Sequence, residues 1–397
     1  MKFPSSGTNA LTVEAFDTMQ HLAHATQQAR ARGLDKITIV DADTHHEEGG
    51  STRHMLKYID SPVERFLTRA VSGEGRRPSV PLNISYQDTA GRLQRFAARK
   101  LEQTPANVHR DITLTRRSMD AMGATFGVLH PTTALRLSTQ PKRDWEFTLA
   151  LAYNRWLAND LMPQESQLKG MMYLPMHHAT ESLAMIEELG DKPGIAGCVI
   201  ASPRYEKVQS KGMVKVFAAM EERGLVLGFH GMANWEEPAL NAIPQWGAVQ
   251  AVGIPHSNMT HMTNWLISGM PERLPKLKVL WFESGIAWVN YLGQRLDNMY
   301  MKRVSEVPLL KERPSHYMKR MYYCSQPLEM PEDQQALEVS FRAINAETQM
   351  VWGSNFPSHE FDVPATIWDL PFLSESAKKA ILGGNAMTLF GFKAGSV

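Results

Sequence analysis

Eight short runs rich in apolar and β-branched residues recur along this chain, and the stretches between them carry apolar residues every three to four positions. Alternation of that kind is the mark of repeated βαβ units around a parallel sheet. The runs cover residues 36–43, 124–130, 170–175, 194–201, 225–230, 277–283, 321–325 and 349–355. Amphipathic segments fall between them, among others at 146–161, 179–189, 213–223 and 332–344. Eight such units predict a closed (β/α)8, TIM-like barrel rather than an open sheet. A chain of 397 residues accommodates one such barrel with additions. Residues 1–35 read as an N-terminal helical extension, with helix-like spacing over 13–32 and Gly33 as its stop. Residues 36–397 then form a single barrel domain. Within it, the charged and loosely patterned stretch 51–118 reads as a long insertion after strand 1, expected over the barrel mouth.

Strand ends are where such a barrel keeps its chemistry. The first run empties into Asp41-Ala42-Asp43-Thr44-His45-His46-Glu47-Glu48. Side chains of an extended strand alternate between faces, so Asp43 and His45 point the same way and can hold one ion together, with Asp41 one step deeper. An isolated Asp-x-His is ordinary in a polar loop, but other strand ends carry the same kinds of side chain. His130 ends the second run, His177 and His178 follow the third, His230 ends the fifth, Glu283 the sixth and Asn355 the eighth. Several strand ends bearing His, Asp, Glu or Asn together point to a metal site.

Composition narrows the remaining classes. A formal net charge of +1 gives no electrostatic case for nucleic acid or an anionic membrane. No apolar run approaches the roughly 20 residues that a membrane helix needs. Two cysteines, Cys198 and Cys324, and an opening without a signal-peptide core point to a cytoplasmic setting. A small molecule is the expected partner, and a homodimer stays open. Trp235, Trp265, Trp288 and Phe356 fall near strand ends and suggest an apolar or ring-containing substrate. Core packing explains each aromatic almost as well.

A resemblance rests on these motifs taken together. Asp-Ala-Asp-Thr-His at 41–45, the His230 strand end, Glu-Ser-Gly-Ile-Ala-Trp at 283–288 with Leu-Gly-Gln-Arg-Leu-Asp after it, Trp-Gly-Ser-Asn-Phe-Pro at 352–357 and Ile-Leu-Gly-Gly-Asn-Ala-Met-Thr-Leu-Phe-Gly-Phe at 381–392 resemble the amidohydrolase-related ("amidohydrolase 2") family of the metal-dependent hydrolase superfamily. That group also holds aromatic-acid decarboxylases. The resemblance implies a divalent metal (Zn, Fe or Mn), one or two ions per chain, held by Asp43, His45, His230 and the eighth-strand residue. Many members have His-x-His where this chain has Asp43 and His45. They also have Asp at the position of Asn355, where it serves as base for the metal's water. An amide cannot accept that proton near neutral pH, so the base must lie elsewhere. His256 and Glu48 are the expected catalytic groups, with His261, Glu283 and His359 as further candidates. Glu283 is also expected either to touch the metal or to orient a ligand. The reading that follows is a metal-dependent hydrolase attacking a carbonyl-type bond (amide, ester, thioester or activated carbon-carbon) of an apolar or ring-containing small molecule. Its rivals are a metal-dependent non-oxidative decarboxylase of an aromatic or unsaturated acid, and a binding protein whose catalysis has decayed.

Overall fold

The computed structural model describes residues 18–46, 54–72, 104–201, 206–232, 237–358 and 360–393. Among them, eight parallel strands lie side by side in chain order. They are β1 (Val40–His46), β2 (Phe126–Pro131), β3 (Leu168–Tyr173), β4 (Ile195–Ala201), β5 (Val226–His230), β6 (Lys278–Phe282), β7 (Tyr322–Cys324) and β8 (Met350–Val351). The seam between β8 and β1 is bridged by Ala42 N–H donating to Trp352 O (2.9 Å), Asn355 N–H to Asp43 O (2.7 Å) and His45 N–H to Phe356 O (2.8 Å). The sheet thereby closes on itself as a TIM barrel with helices around it.

Each strand is buried along nearly its whole length, as parallel strands covered on both faces must be. Outside the sheet, Phe229 stacks on Trp281 (4.5 Å between ring centres), and both Phe229 and Phe217 meet Trp265 from the helix Trp246–Ile267. Burying rings and branched aliphatics of this kind stabilises the shell by about 1.5–3 kcal/mol per side chain. The helices start and stop on local signals. Ser210 caps the helix Lys211–Glu222 by accepting from Met213 N–H, and Gly123, at φ 74°, takes the left-handed turn that ends the helix Arg110–Met122.

Several boundaries differ from the sequence expectation, and β8 stops at Val351, short of Asn355. β1 begins at Val40 and runs through His46, because Leu34–Lys36 coils into a 3-10 turn first. Arg110–Met122 is the helix that returns the chain to β2, so it occupies the end of the stretch 51–118. The rest of that stretch is described over 54–72, which includes the helix Pro62–Ser72. Glu64 accepts from the Thr148 hydroxyl there (3.1 Å), and Tyr58 donates to Asp160 (3.0 Å). Residues 73–103 lie outside the described residues. The N-terminal helix Thr18–Ala31 buries Leu22, Ala25 and Ala29.

Candidate metal centre

At the C-terminal ends of β1 and β5, three side chains converge. Asp43, His45 and His230 each offer one ligand atom, all within 4.8 Å of one another, and all three residues are buried. A bulge in β1, where the register against β2 slips between Asp41 and Thr44, re-aims the chain where these ligands leave the strand. The two imidazole Nε2 atoms are 3.1 Å apart, and Asp43 Oδ1 lies 3.2 Å from His45 Nε2 and 3.6 Å from His230 Nε2. Donors sharing a divalent ion at about 2.1 Å from it sit about 3.0–3.4 Å apart, so this triangle has the size of a coordination face.

The far side of each ring fixes which nitrogen faces the triangle. His230 Nδ1 is 2.9 Å from Gly231 O and His45 Nδ1 is 3.3 Å from the Thr132 hydroxyl, so protons on Nδ1 leave both Nε2 lone pairs facing each other. Asp43 Oδ1 is buried beside them without a hydrogen-bond partner. Lone pairs and a carboxylate oxygen gathered in this way need a cation between them, either a proton or a metal ion. Burial works against a charged His230, but Asp43 outweighs it and pushes the pKa up to about 9. Burial likewise opposes ionisation of Asp43, yet the His230 and His45 rings beside it hold its carboxyl well below the usual range. The residues present therefore fit a divalent metal, with Asp43, His45 and His230 as the holders.

Around this triangle stand groups with other duties. Glu283 Oε2 is 3.5 Å from His230 Nδ1, and Glu283 Oε1 accepts from the Asn355 amide (2.9 Å). Burial pushes the Glu283 carboxyl up to about 7, against the pull of His230. Glu283 (φ 50°) and Asn355 (φ 52°) both adopt left-handed backbone, which is costly for a residue with a Cβ and is common at functional sites. Asp41 turns to β8, accepting from Ser354 N–H (2.9 Å) and Ser354 Oγ–H (2.5 Å).

The other expected residues are distributed differently. His256 and His261 sit on the 22-residue helix Trp246–Ile267 and not on a loop. His256 is half-exposed, 3.6 Å from Glu237, while His261 is buried against the Phe229 ring. Trp288 and Phe356 are buried, and Trp288 Nε1 donates to Gly285 O (3.0 Å). Glu48, Trp235 and His359 lie outside the described residues. Sequence reasoning left His130 out of the ligand set, yet its Nε2 is 3.9 Å from Asp43 Oδ1 while donating to Ala42 O (3.1 Å). Burial holds His130 neutral, its pKa lowered to about 3. Its position at a strand end was the available signal. Cys324, beside Asp43 Oδ2 at 3.9 Å, had none.

The family model described as amidohydrolase matches residues 114–392. The chain belongs to the amidohydrolase family. Among its relatives is 2-amino-3-carboxymuconate-6-semialdehyde decarboxylase of Dictyostelium discoideum, 23% identical over 247 residues that cover 61% of this chain and 66% of that protein. That share falls just under two thirds of the relative. Similar solved structures include 5-carboxyvanillate decarboxylase from Sphingomonas paucimobilis, with a TM-score of 0.65 at 20% identity over 90% of this chain and all of that one. A dihydroxybenzoic acid decarboxylase from a Polaromonas species, with bound manganese and the inhibitor 2-nitroresorcinol, gives 0.57 at 16% identity over 90% of this chain and 98% of that one.

These relatives overturn the expected hydrolase, since every reaction named among the three is a decarboxylation. The site gives a physical reason for the correction. Hydrolysis needs a base to activate water, and Asn355 presents an amide where the resemblance puts that base in other members. The expected substitute, His256, stands on an outer helix, half-exposed beside Glu237. Decarboxylation needs no such base.

Proposed function

We propose that this protein is a metal-dependent, non-oxidative decarboxylase of an aromatic or unsaturated carboxylic acid, and that manganese is the ion it uses. The observation that carries the reading is the Asp43–His45–His230 triangle with Glu283 beside it, a carboxyl group that burial keeps protonated up to about pH 7. Two imidazoles and one carboxylate form a mixed nitrogen and oxygen set suited to Mn²⁺, Fe²⁺ or Zn²⁺, and manganese is the ion bound in the Polaromonas enzyme. When bound, the ion supplies an anchor for the substrate carboxylate and a neighbouring hydroxyl, and withdraws charge from them.

The chain's own groups then account for the proton. Loss of carbon dioxide breaks one carbon-carbon bond and leaves its electron pair on the substrate carbon. A proton must reach that carbon, and we assign its delivery to Glu283, recharged afterwards from solvent. Asn355 keeps the Glu283 carboxyl turned toward the site through its amide hydrogen bond. Phe356 and Trp288 are buried aromatics that we assign to the substrate pocket, and a ring-bearing small molecule is the substrate class this favours.

The test is carbon dioxide release from a panel of ortho-hydroxylated aromatic acids and unsaturated dicarboxylic acids, with Mn²⁺ and after chelation. Metal-dependent release supports the reading. Cleavage of esters or amides in the same preparation, with no carbon dioxide from any acid, would overturn it.

A further inference from the structure

On the face of β1 turned away from the triangle lies a buried polar cluster that the proposed chemistry does not use. His46 is 1% exposed. Its Nδ1 is 3.2 Å from Asp111 Oδ2 at the start of the helix Arg110–Met122, and its Nε2 is 2.9 Å from the Tyr153 hydroxyl on the helix Arg143–Trp156. A neutral ring with its proton on Nδ1 satisfies both contacts, donating to the carboxylate and accepting from the phenol. The ring also stacks on Trp156, with centres 5.8 Å apart and planes 21° from parallel. Asp111 is itself held, because His109 caps the same helix by accepting from Asp111 N–H (3.2 Å) and sets its ring edge-on to Trp156.

The place of this cluster in the strand gives it a consequence. His46 follows the ligand His45 directly, and the alternation of a strand sends the two side chains to opposite faces. Opposite His46 stands Pro131, and the ladder ends there with Thr132 N–H donating to His46 O (3.1 Å), so beyond this bond side chains hold the strand end. The bulge between Asp41 and Thr44 carries Asp43 itself and stands just before His45. A side chain clamped from two helices adds to the last ladder bonds in holding that end of the strand.

We propose that His46, clamped between Asp111 and Tyr153, is a positioning residue that fixes the end of β1 and so sets how Asp43 and His45 meet the metal. The inference rests on the metal-centre reading above. Groups outside the ligand set that orient it are worth about 10–100-fold in metal affinity when removed.

Mn²⁺ binding by Tyr153→Phe, His46→Gln and Asp111→Asn is compared with the parent, by electron paramagnetic resonance of the free ion, alongside melting temperatures in chelator. Tyr153→Phe removes a single hydroxyl and retains the ring, so it folds even where His46→Gln does not. The expected result is a dissociation constant about tenfold higher for Tyr153→Phe and at least as high for His46→Gln. Asp111→Asn retains an oxygen acceptor toward His46 and loses less. Leu189→Ala, a cavity in the helix Ala179–Leu189, serves as a control that lowers the melting temperature and leaves Mn²⁺ affinity at the parent value. Parent-like affinity in Tyr153→Phe, whatever its melting temperature, overturns the positioning role and leaves the metal centre standing. A parent that binds no Mn²⁺ overturns the metal centre itself, and this inference with it.

Discussion

The two ends of the barrel are built from the same strands and do opposite work. At the C-terminal end, ionisable groups crowd together with their demands unmet by the protein alone: Asp43 Oδ1 is buried without a hydrogen-bond partner, and two imidazole nitrogens face each other at 3.1 Å. At the N-terminal end, charge is used to finish hydrogen bonding. Lys169 Nζ donates to Phe390 O (2.5 Å) and Gly391 O (3.2 Å), and Lys278 Nζ to Leu389 O (2.9 Å), covering the carbonyls that the last helix leaves open. Burial lowers the pKa of both lysines, but each ammonium has acceptors waiting for it. The lesson is that unmet polar demand marks the working end, whereas a buried charge with its partners supplied marks a structural one.

That contrast can be broken from either side. The largest effect is expected from His230→Ala, which should remove metal binding and lower kcat/KM by roughly 10³-fold or more. Elemental analysis and carbon dioxide release check it, and full metal content in the variant would dissolve the assignment of the triangle. Next comes Glu283→Gln, which should lower kcat by about 10²–10⁴-fold while metal content stays at the parent level. A variant that turns over normally would remove Glu283 as the proton donor.

A smaller and more diagnostic effect belongs to Asn355→Asp. The Glu283 pKa is raised, so its protonated and working form is present at low pH and is lost as pH rises through about 7. A second carboxylate in place of the amide that now sits 2.9 Å away should push this limb to higher pH. A bound cation moves both profiles lower without changing their order. The expected outcome is a kcat–pH profile displaced upward, with no gain in ester or amide hydrolysis. A large hydrolytic gain would show instead a hydrolase site that had lost its base.

The smallest effect is expected at the opposite end. Lys278→Met should cost about 1–2 kcal/mol of stability and leave Mn²⁺ affinity within about twofold of the parent. Denaturant melts and metal titrations together check this, and a change in metal binding would mean that the two ends are coupled.

Much of this was legible in the chain. All eight apolar runs became strands, since a β-rich run flanked by amphipathic segments has few other ways to bury itself. Asp43, His45 and His230 were legible because they stand at the ends of such runs. Helix Trp246–Ile267 was not. Pro255 in its middle and a mixed apolar pattern read locally as a loop, whereas packing of His261 and Trp265 on Phe229 holds it helical.

By itself, then, the sequence determined the number of βαβ units and which strand ends carry ionisable groups, because periodicity and strand length are local properties. Only the closed barrel decided what those groups do. It set Asn355 against Glu283, turned Asp41 to Ser354, brought His130 under Asp43 and placed His46 between two helices. Each of these contacts joins residues far apart in the chain, and their distances depend on how strands twist and close, which no window of sequence contains.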